Sequence, residues 1–294
     1  MIRTVIALVP LLALTACGTS NNARSVRSID SLTTTVEMET SLVPKSVRYH
    51  VYLPPSYQSG EERTYPVIYW LHGSGGYPPG VVAMLARRFD NAIRNGRIPE
   101  HLVVFTDGLE DTMWLNSKDG TVAVEDLFIQ ELVPHIDSTY RTIASRGGRI
   151  LEGASMGGYG AARFGFKYPD LFAAVSMINP GPMQPILDVD EAPLRGRDRA
   201  QETLDGVYGG DQRYFMEQSP WRLVEQNASA IRSSVEVRMI LGELDLITPN
   251  NIRFSEHLKD LNIDHQVIII PDVGHDGPRA MFSALTDDYW DFFN

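Results

Sequence analysis

The sequence predicts an α/β fold: a mostly parallel central sheet with helices on both faces, entered through an N-terminal antiparallel β pair. Three observations carry this. Short, nearly continuous apolar runs recur along the chain, as strands buried on both faces require. Segments with helical spacing lie between them, and strand–helix alternation builds layered α/β domains. Hydrophobic residues make up 43% of the 294 positions, enough for one sizeable core.

The elements follow in order. Residues 1–16 (MIRTVIALVPLLALTA) carry one charge, Arg3, and then an apolar run from Val5 to Leu14. That is a secretory signal pattern, too short to span a bilayer as a mature helix. It ends in Leu14-Thr15-Ala16-Cys17, which resembles a bacterial lipobox, and the single cysteine of the chain stands where lipid would be attached. The expectation is an exported protein, cut before Cys17 and lipid-anchored to the cell envelope. Gly18 rather than an aspartate follows, which points to the outer membrane. Residues 17–31 are polar and small without periodicity, and read as a flexible tether.

Thr33–Leu42 and Ser46–Leu53 alternate apolar and polar residues, an antiparallel pair turning near Val43-Pro44-Lys45. Apolar runs then predict strands at Pro66–Leu71, Leu102–Thr106, Gly148–Glu152, Leu171–Ile178, Val235–Leu241 and Gln266–Ile270. Helical patterns occupy Val81–Asn95, Val122–Tyr140, Met156–Tyr168, Ile252–Leu261 and Met281–Phe293. Pro134 lies inside the second of these and should kink or break it. Residues 182–229 are the least regular, rich in proline, glycine and charge. They read as an insertion over the sheet, within one domain spanning 32–294.

Composition excludes several chemistries. Lys+Arg total 26 against Asp+Glu 37, a formal net charge of −11, which is poor for gripping a phosphate backbone, so no nucleic acid is expected. One cysteine leaves no disulfide framework and no cysteine-based zinc or iron–sulfur site. The 7 histidines include no HExxH pair. No metal or organic cofactor is expected, and nothing names a protein partner.

Gly153-Ala154-Ser155-Met156-Gly157 directly follows an apolar strand and opens a helix, the context a nucleophile elbow requires. A sharp strand-to-helix turn strains the serine backbone and exposes Oγ. Close approach of strand and helix leaves no space for side chains at Gly153 and Gly157. Leu71-His72-Gly73-Ser74-Gly75-Gly76 ends another strand, and its glycines let backbone amides approach a substrate oxygen. His72 itself reads as a structural histidine bonded to that loop. After Val235–Leu241 comes Gly242-Glu243-Leu244-Asp245, and after Gln266–Ile270 comes Pro271-Asp272-Val273-Gly274-His275. The order Ser, then acid, then His matches a serine triad on such a sheet. His275 is the candidate base. Asp245 is favoured as the acid because it lies farther into its loop, with Glu243 and Asp272 as rivals.

Together GASMGGYGA, LHGSGG, LVPHIDSTYRT, KYPDLFAAVS, LGELDLITP and VGHD resemble the esterase D family of α/β-hydrolases. That family includes S-formylglutathione hydrolases, feruloyl and acetyl-xylan esterases, siderophore esterases and mycolyltransferases. The resemblance runs from about Ser46 to the C-terminus. It implies the α/β-hydrolase fold, Ser155 as nucleophile, Asp245 as acid and His275 as base. It also implies that the backbone amides of Met156 and Ser74 form the oxyanion hole. The formylglutathione branch usually carries a cysteine in the first oxyanion loop; this loop has none, and export is expected, so the chain departs from that branch.

Other residues carry weaker signals. Asp107 and Trp114 follow the Leu102–Thr106 strand on the same edge, and both are substrate-binding candidates. Trp114 would either stack on a sugar or aromatic acyl group or pack on the sheet edge. Trp221 reads as packing, and Arg195, Arg197 and Arg199 as a solvated charge run rather than an anion site. The expected function is ester hydrolysis through an acyl-enzyme, on acyl or feruloyl groups of a polysaccharide. Siderophore ester hydrolysis, acyl transfer and a non-catalytic surface binder are the alternatives.

Overall fold

The computed structural model describes residues 23–26, 32–59, 62–275 and 286–294. The expected signal segment, Cys17 and most of the expected tether lie outside the described residues. One part of the tether expectation is corrected. Ala23–Val26 forms β1, antiparallel to β2 (Thr33–Met38), with Ala23 opposite Met38. Pairing at a sheet edge runs through main-chain groups and leaves no apolar signature in so short a segment.

β2 pairs antiparallel with β3 (Val47–Tyr52), the N-terminal pair that alternation predicts. The other strands are β4 (Val67–Leu71), β5 (Leu102–Thr106), β6 (Arg149–Ala154), β7 (Ala174–Ile178), β8 (Glu236–Gly242) and β9 (Gln266–Ile270). Among the described residues the sheet has 9 strands in the order β1-β2-β3-β5-β4-β6-β7-β8-β9. β3 meets β5 antiparallel, and every pair from β5 to β9 is parallel. Helices cover both faces, which explains the continuous apolar runs. In β4, Val67, Tyr69 and Leu71 enter one core cluster and Ile68 and Trp70 the other.

Helix α1 (Val81–Arg94) buries Val81, Leu85 and Phe89 in the second cluster. The predicted Val122–Tyr140 helix is interrupted. A single turn, α2 (Val124–Asp126), leads into a π-helical stretch at Leu127–Leu132 and then α3 (Val133–Thr139). Pro134 occupies the first turn of α3, where its missing N–H costs least. Helix α4 (Met156–Lys167) packs on β6 and β7.

Residues 182–229 are more regular than expected. Helices α5 (Gly196–Tyr208), α6 (Gln212–Gln218) and α7 (Pro220–Ser234) fill much of the segment. α5 buries only Leu204 and Tyr208, so its apolar spacing is weak. Capping marks the other two. Asp211 accepts from the Arg213 and Tyr214 amides, and Ser219 accepts from Trp221 N with Pro220 next in sequence. Helix α8 (Thr248–Asp260) follows β8 and starts earlier than its pattern suggested, with Pro249 in its first turn. At the C-terminus, Asp287–Phe293 is a 3₁₀ helix rather than an α-helix, and 281–285 lie outside the described residues. Its Tyr289, Trp290, Phe292 and Phe293 join the second core cluster.

A buried ion cluster holds α4 against the elements around it. Arg163 donates to Glu125 (2.9 Å), to Trp114 O (2.7 Å) and to Gln218 O (2.8 Å). Lys167 and Tyr168 both reach Glu125 Oε1 at 2.5 Å. Burial opposes ionisation of Glu125, but Arg163, Lys167 and Tyr168 outweigh it and hold its carboxyl at about 2. The helix that begins just after Ser155 is thereby tied to α2, α6 and the loop after β5.

Candidate active site

Ser155 follows β6 immediately and caps α4, with φ 57° and ψ −121°. A left-handed φ at a non-glycine residue is strained, and here the surroundings impose it. The Ser155 amide donates to Ile178 O at 2.8 Å, and Tyr159 N donates back to Ser155 O at 3.0 Å. The flanking glycines are steric necessities. A Cβ on Gly157 would lie 2.0 Å from Leu71 O, and one on Gly153 would lie 2.3 Å from Gly157 O. Strand, turn and helix thus close on each other, and Oγ projects at the C-terminal edge of the sheet.

Asp245 and His275 reach the same edge from the loops after β8 and β9. His275 Nδ1 is 2.6 Å from Asp245 Oδ2, and His275 Nε2 is 2.9 Å from Ser155 Oγ. Asp245 is 3% exposed, and its other oxygen accepts from Ile247 N at 3.1 Å. With Nδ1–H donating to that carboxylate, Nε2 keeps the lone pair that accepts from the serine hydroxyl. Neither rival faces His275: Glu243 Oε2 accepts from Asp272 N at 3.2 Å, and both residues are exposed.

The loop after β4 passes close to Oγ. A Cβ on Gly73 would lie 3.8 Å from Ser155 Oγ, so the Gly73-Ser74 backbone borders the nucleophile. Its shape depends on His72, which is 1% exposed. His72 Nε2 accepts from Gly108 N at 2.9 Å, so the proton sits on Nδ1, which donates to Gly73 O at 2.7 Å. The imidazole is spent on joining two loops, as a structural histidine would be.

Trp114 requires a correction. It is 0% exposed, its Nε1 donates to His72 O at 3.1 Å, and its ring meets Phe128 and Phe164 edge-on. A Cβ on Gly108 or Gly160 would be 2.5 Å from its ring. No face is open to a ligand, so Trp114 packs beneath the site instead of binding substrate. Asp107 accepts from Leu109 N at 2.9 Å and keeps a partly exposed carboxylate, which lines a cavity beside the Ser155 cleft. Trp221 stacks on His257 and packs on Phe254.

Two openings meet at Ser155. The larger, about 400 Å³, includes His72, Gly73, Ser74, Asn179 and His275 in its wall. The smaller, about 100 Å³, lies under the 182–203 segment and includes Met113, Leu187, Leu194 and Ile247. Ser74, Leu194 and Arg195 border both. The arginine run is not simply solvated. Arg195 pairs with Asp111 at 2.6 Å, Arg199 pairs with the same carboxylate, and Arg197 reaches Asp190 at 3.2 Å. Burial opposes ionisation of Asp111, but the arginines outweigh it and hold its carboxyl below the ordinary range. Asp111 belongs to a loop with Leu109, Asp111, Met113 and Trp114 all at positive φ. Sequence reasoning missed Asp111 and Asn179, the latter accepting from Gly242 N at 2.8 Å, because neither belongs to a motif or a period. Among the described residues no group of three or more His, Cys, Asp or Glu side chains is placed to hold a metal ion.

A family model described as "Putative esterase" matches residues 40–245. An endo-1,4-beta-xylanase/feruloyl esterase of Xylanibacter ruminicola is 32% identical over 145 residues, 46% of this chain and 20% of that protein. A Mycobacterium tuberculosis esterase is 33% identical over 143 residues, 47% of this chain and 30% of that protein. The chain therefore spans less than a third of the length of these curated relatives. Among solved structures, a ferulic acid esterase superposes with a TM-score of 0.68 at 24% identity, covering 86% of this chain and 92% of that one. An S-formylglutathione hydrolase from Agrobacterium tumefaciens gives 0.70 at 19% identity, covering 92% and 99%. These two share the α/β-hydrolase fold with this chain.

Proposed function

The chain belongs to this esterase family, and from that premise we propose that it is a serine esterase cleaving carboxylic esters through an acyl-enzyme. The observation that carries the proposal is the hydrogen-bonded chain Asp245–His275–Ser155, ending on a serine held at φ 57°. In the first half-reaction Ser155 Oγ attacks the ester carbonyl carbon while His275 Nε2 takes its proton. Asp245 keeps Nδ1 protonated and stabilises the imidazolium. The oxyanion is held by the Met156 and Ser74 amides, each contributing about 3 kcal/mol to the barrier reduction. The tetrahedral adduct collapses, the alkoxide leaves, and Nε2 returns the proton to it. Water then repeats the cycle on the acyl-enzyme and restores Ser155.

The substrate class we propose is acyl or feruloyl esters of a polysaccharide. The name of the Xylanibacter relative, which couples xylanase with feruloyl esterase, supports this reading. The test is turnover by the purified chain of acetyl and feruloyl esters of xylan fragments, a cyclic siderophore triester and simple nitrophenyl esters. Higher kcat/KM on the xylan esters than on the triester is the expected result. Preference for the triester overturns the polysaccharide assignment and leaves the esterase assignment standing.

We propose further that the protein is exported and lipid-anchored at Cys17, on the strength of Leu14-Thr15-Ala16-Cys17 after an apolar run. More than one acyl chain makes such an anchor durable. Wild-type protein should fractionate with membranes and carry added lipid mass on an N-terminal Cys17, and Cys17→Ala should abolish both. A soluble wild-type protein with its N-terminus elsewhere overturns the anchor.

A further inference from the structure

The direction of proton transfer assigns the two halves of the ester to the two openings. The leaving oxygen must take its proton from His275 Nε2, so the alcohol half lies on the side of Ser155 that His275 borders. Among the described residues that is the larger cleft. Its wall residues His72, Gly76, Tyr77 and Pro78 also border a further cavity of about 490 Å³, within the size range of ligand pockets. The far side of that cavity is built from the β2–β3 turn, strand β3 and the loop after β5. It presents Lys45, Arg48, His50, Asp107 and Glu110.

We propose that this second cavity is a sugar-binding subsite for the alcohol half of the ester; the proposal rests on the polysaccharide reading above. Its chemistry suits a neutral polyhydroxylated ligand. Lys45 and Arg48 are exposed, and among the described residues neither makes an ion pair. Two cations that only donate face two carboxylates that only accept, and the formal charges cancel. Sugar hydroxyls both donate and accept, so they can satisfy both sets, whereas an anion would gain from the cations and lose to Asp107 and Glu110. His50 adds to this wall. Burial holds its imidazole below the ordinary histidine range, with Arg48 acting in the same direction and Asp107 opposing. The subsite lies on the N-terminal hairpin and the loop after β5, apart from the 182–203 segment, which covers the smaller opening and reaches the larger cleft through Leu194 and Arg195.

The experiment uses the full chain and one acyl group on two alcohols: its methyl ester, and its ester with a xylan-derived tetrasaccharide. The readout is the ratio of kcat/KM for the saccharide ester to that for the methyl ester. In Lys45→Met/Arg48→Met the ratio should fall about tenfold, the loss of one or two net hydrogen bonds. Both positions are exposed, so the variant keeps the fold, which circular dichroism checks. An unchanged ratio with saccharide turnover intact overturns the subsite alone. A wild-type chain that cleaves the methyl ester and leaves the saccharide ester untouched overturns both the subsite and the polysaccharide reading. A ratio that falls only for a uronate-bearing saccharide and not for a neutral one overturns the neutral-sugar assignment.

Discussion

Ser155→Ala lowers kcat by about a million-fold, the loss expected when a serine triad loses its nucleophile. The variant keeps its fold, because among the described residues Oγ has one hydrogen bond, the 2.9 Å contact to His275 Nε2. Alanine accepts the φ of 57° no worse than serine does, and the Ile178 and Tyr159 backbone bonds that hold the turn are untouched. Residual turnover from oxyanion stabilisation and binding alone still exceeds that in water. Labelling by a fluorophosphonate reagent disappears together with turnover. A purified, folded variant retaining more than about a hundredth of wild-type kcat would show that another group attacks the ester.

Asp245→Asn lowers kcat by about ten-thousand-fold through the histidine tautomer. An amide nitrogen facing His275 Nδ1 in place of Oδ2 favours the proton on Nε2, which then has no lone pair for the serine hydroxyl. The geometry separates this residue from its neighbours. Asp245 is buried with Nδ1 at 2.6 Å, whereas Glu243 accepts from the Asp272 amide at the surface. Glu243→Gln and Asp272→Asn therefore change kcat by less than about threefold, as exposed substitutions away from a reacting group do. The three variants are compared by kcat on one ester, with thermal unfolding recorded alongside. A greater loss in Glu243→Gln or Asp272→Asn than in Asp245→Asn reassigns the acid.

The sequence by itself determined the sheet and the elbow. Runs such as Val67–Leu71 and Leu102–Phe105 are apolar at every position because helices cover both faces, and burial on both faces leaves a mark that needs no tertiary information. Gly153 and Gly157 are readable for the same reason: backbone oxygens occupy the space where their side chains would stand, and only glycine fits. Pro134 and the Ser219-Pro220 cap are local in origin and stand in the sequence, as does the Leu223, Val224, Ala228 and Ile231 spacing of the helix after Ser219, whereas the short helix after Asp211 buries Phe215 alone and has no apolar period to declare it. Tertiary structure alone decided what depends on distance across loops. Asp245, Glu243 and Asp272 are chemically equivalent carboxylates near two strand ends, and only the fold puts one of them 2.6 Å from His275 Nδ1. Trp114 carries the same indole whether it stacks on a ligand or packs on Phe164, and the strained loop after β5 turns it inward. Asp111 and Arg195 are 84 residues apart, and Arg199 lies farther still, so no period or motif relates them before the chain folds. A hydrogen-bonding or ion-pairing partner distant in sequence has no local physical cause, and the folded chain is what supplies it.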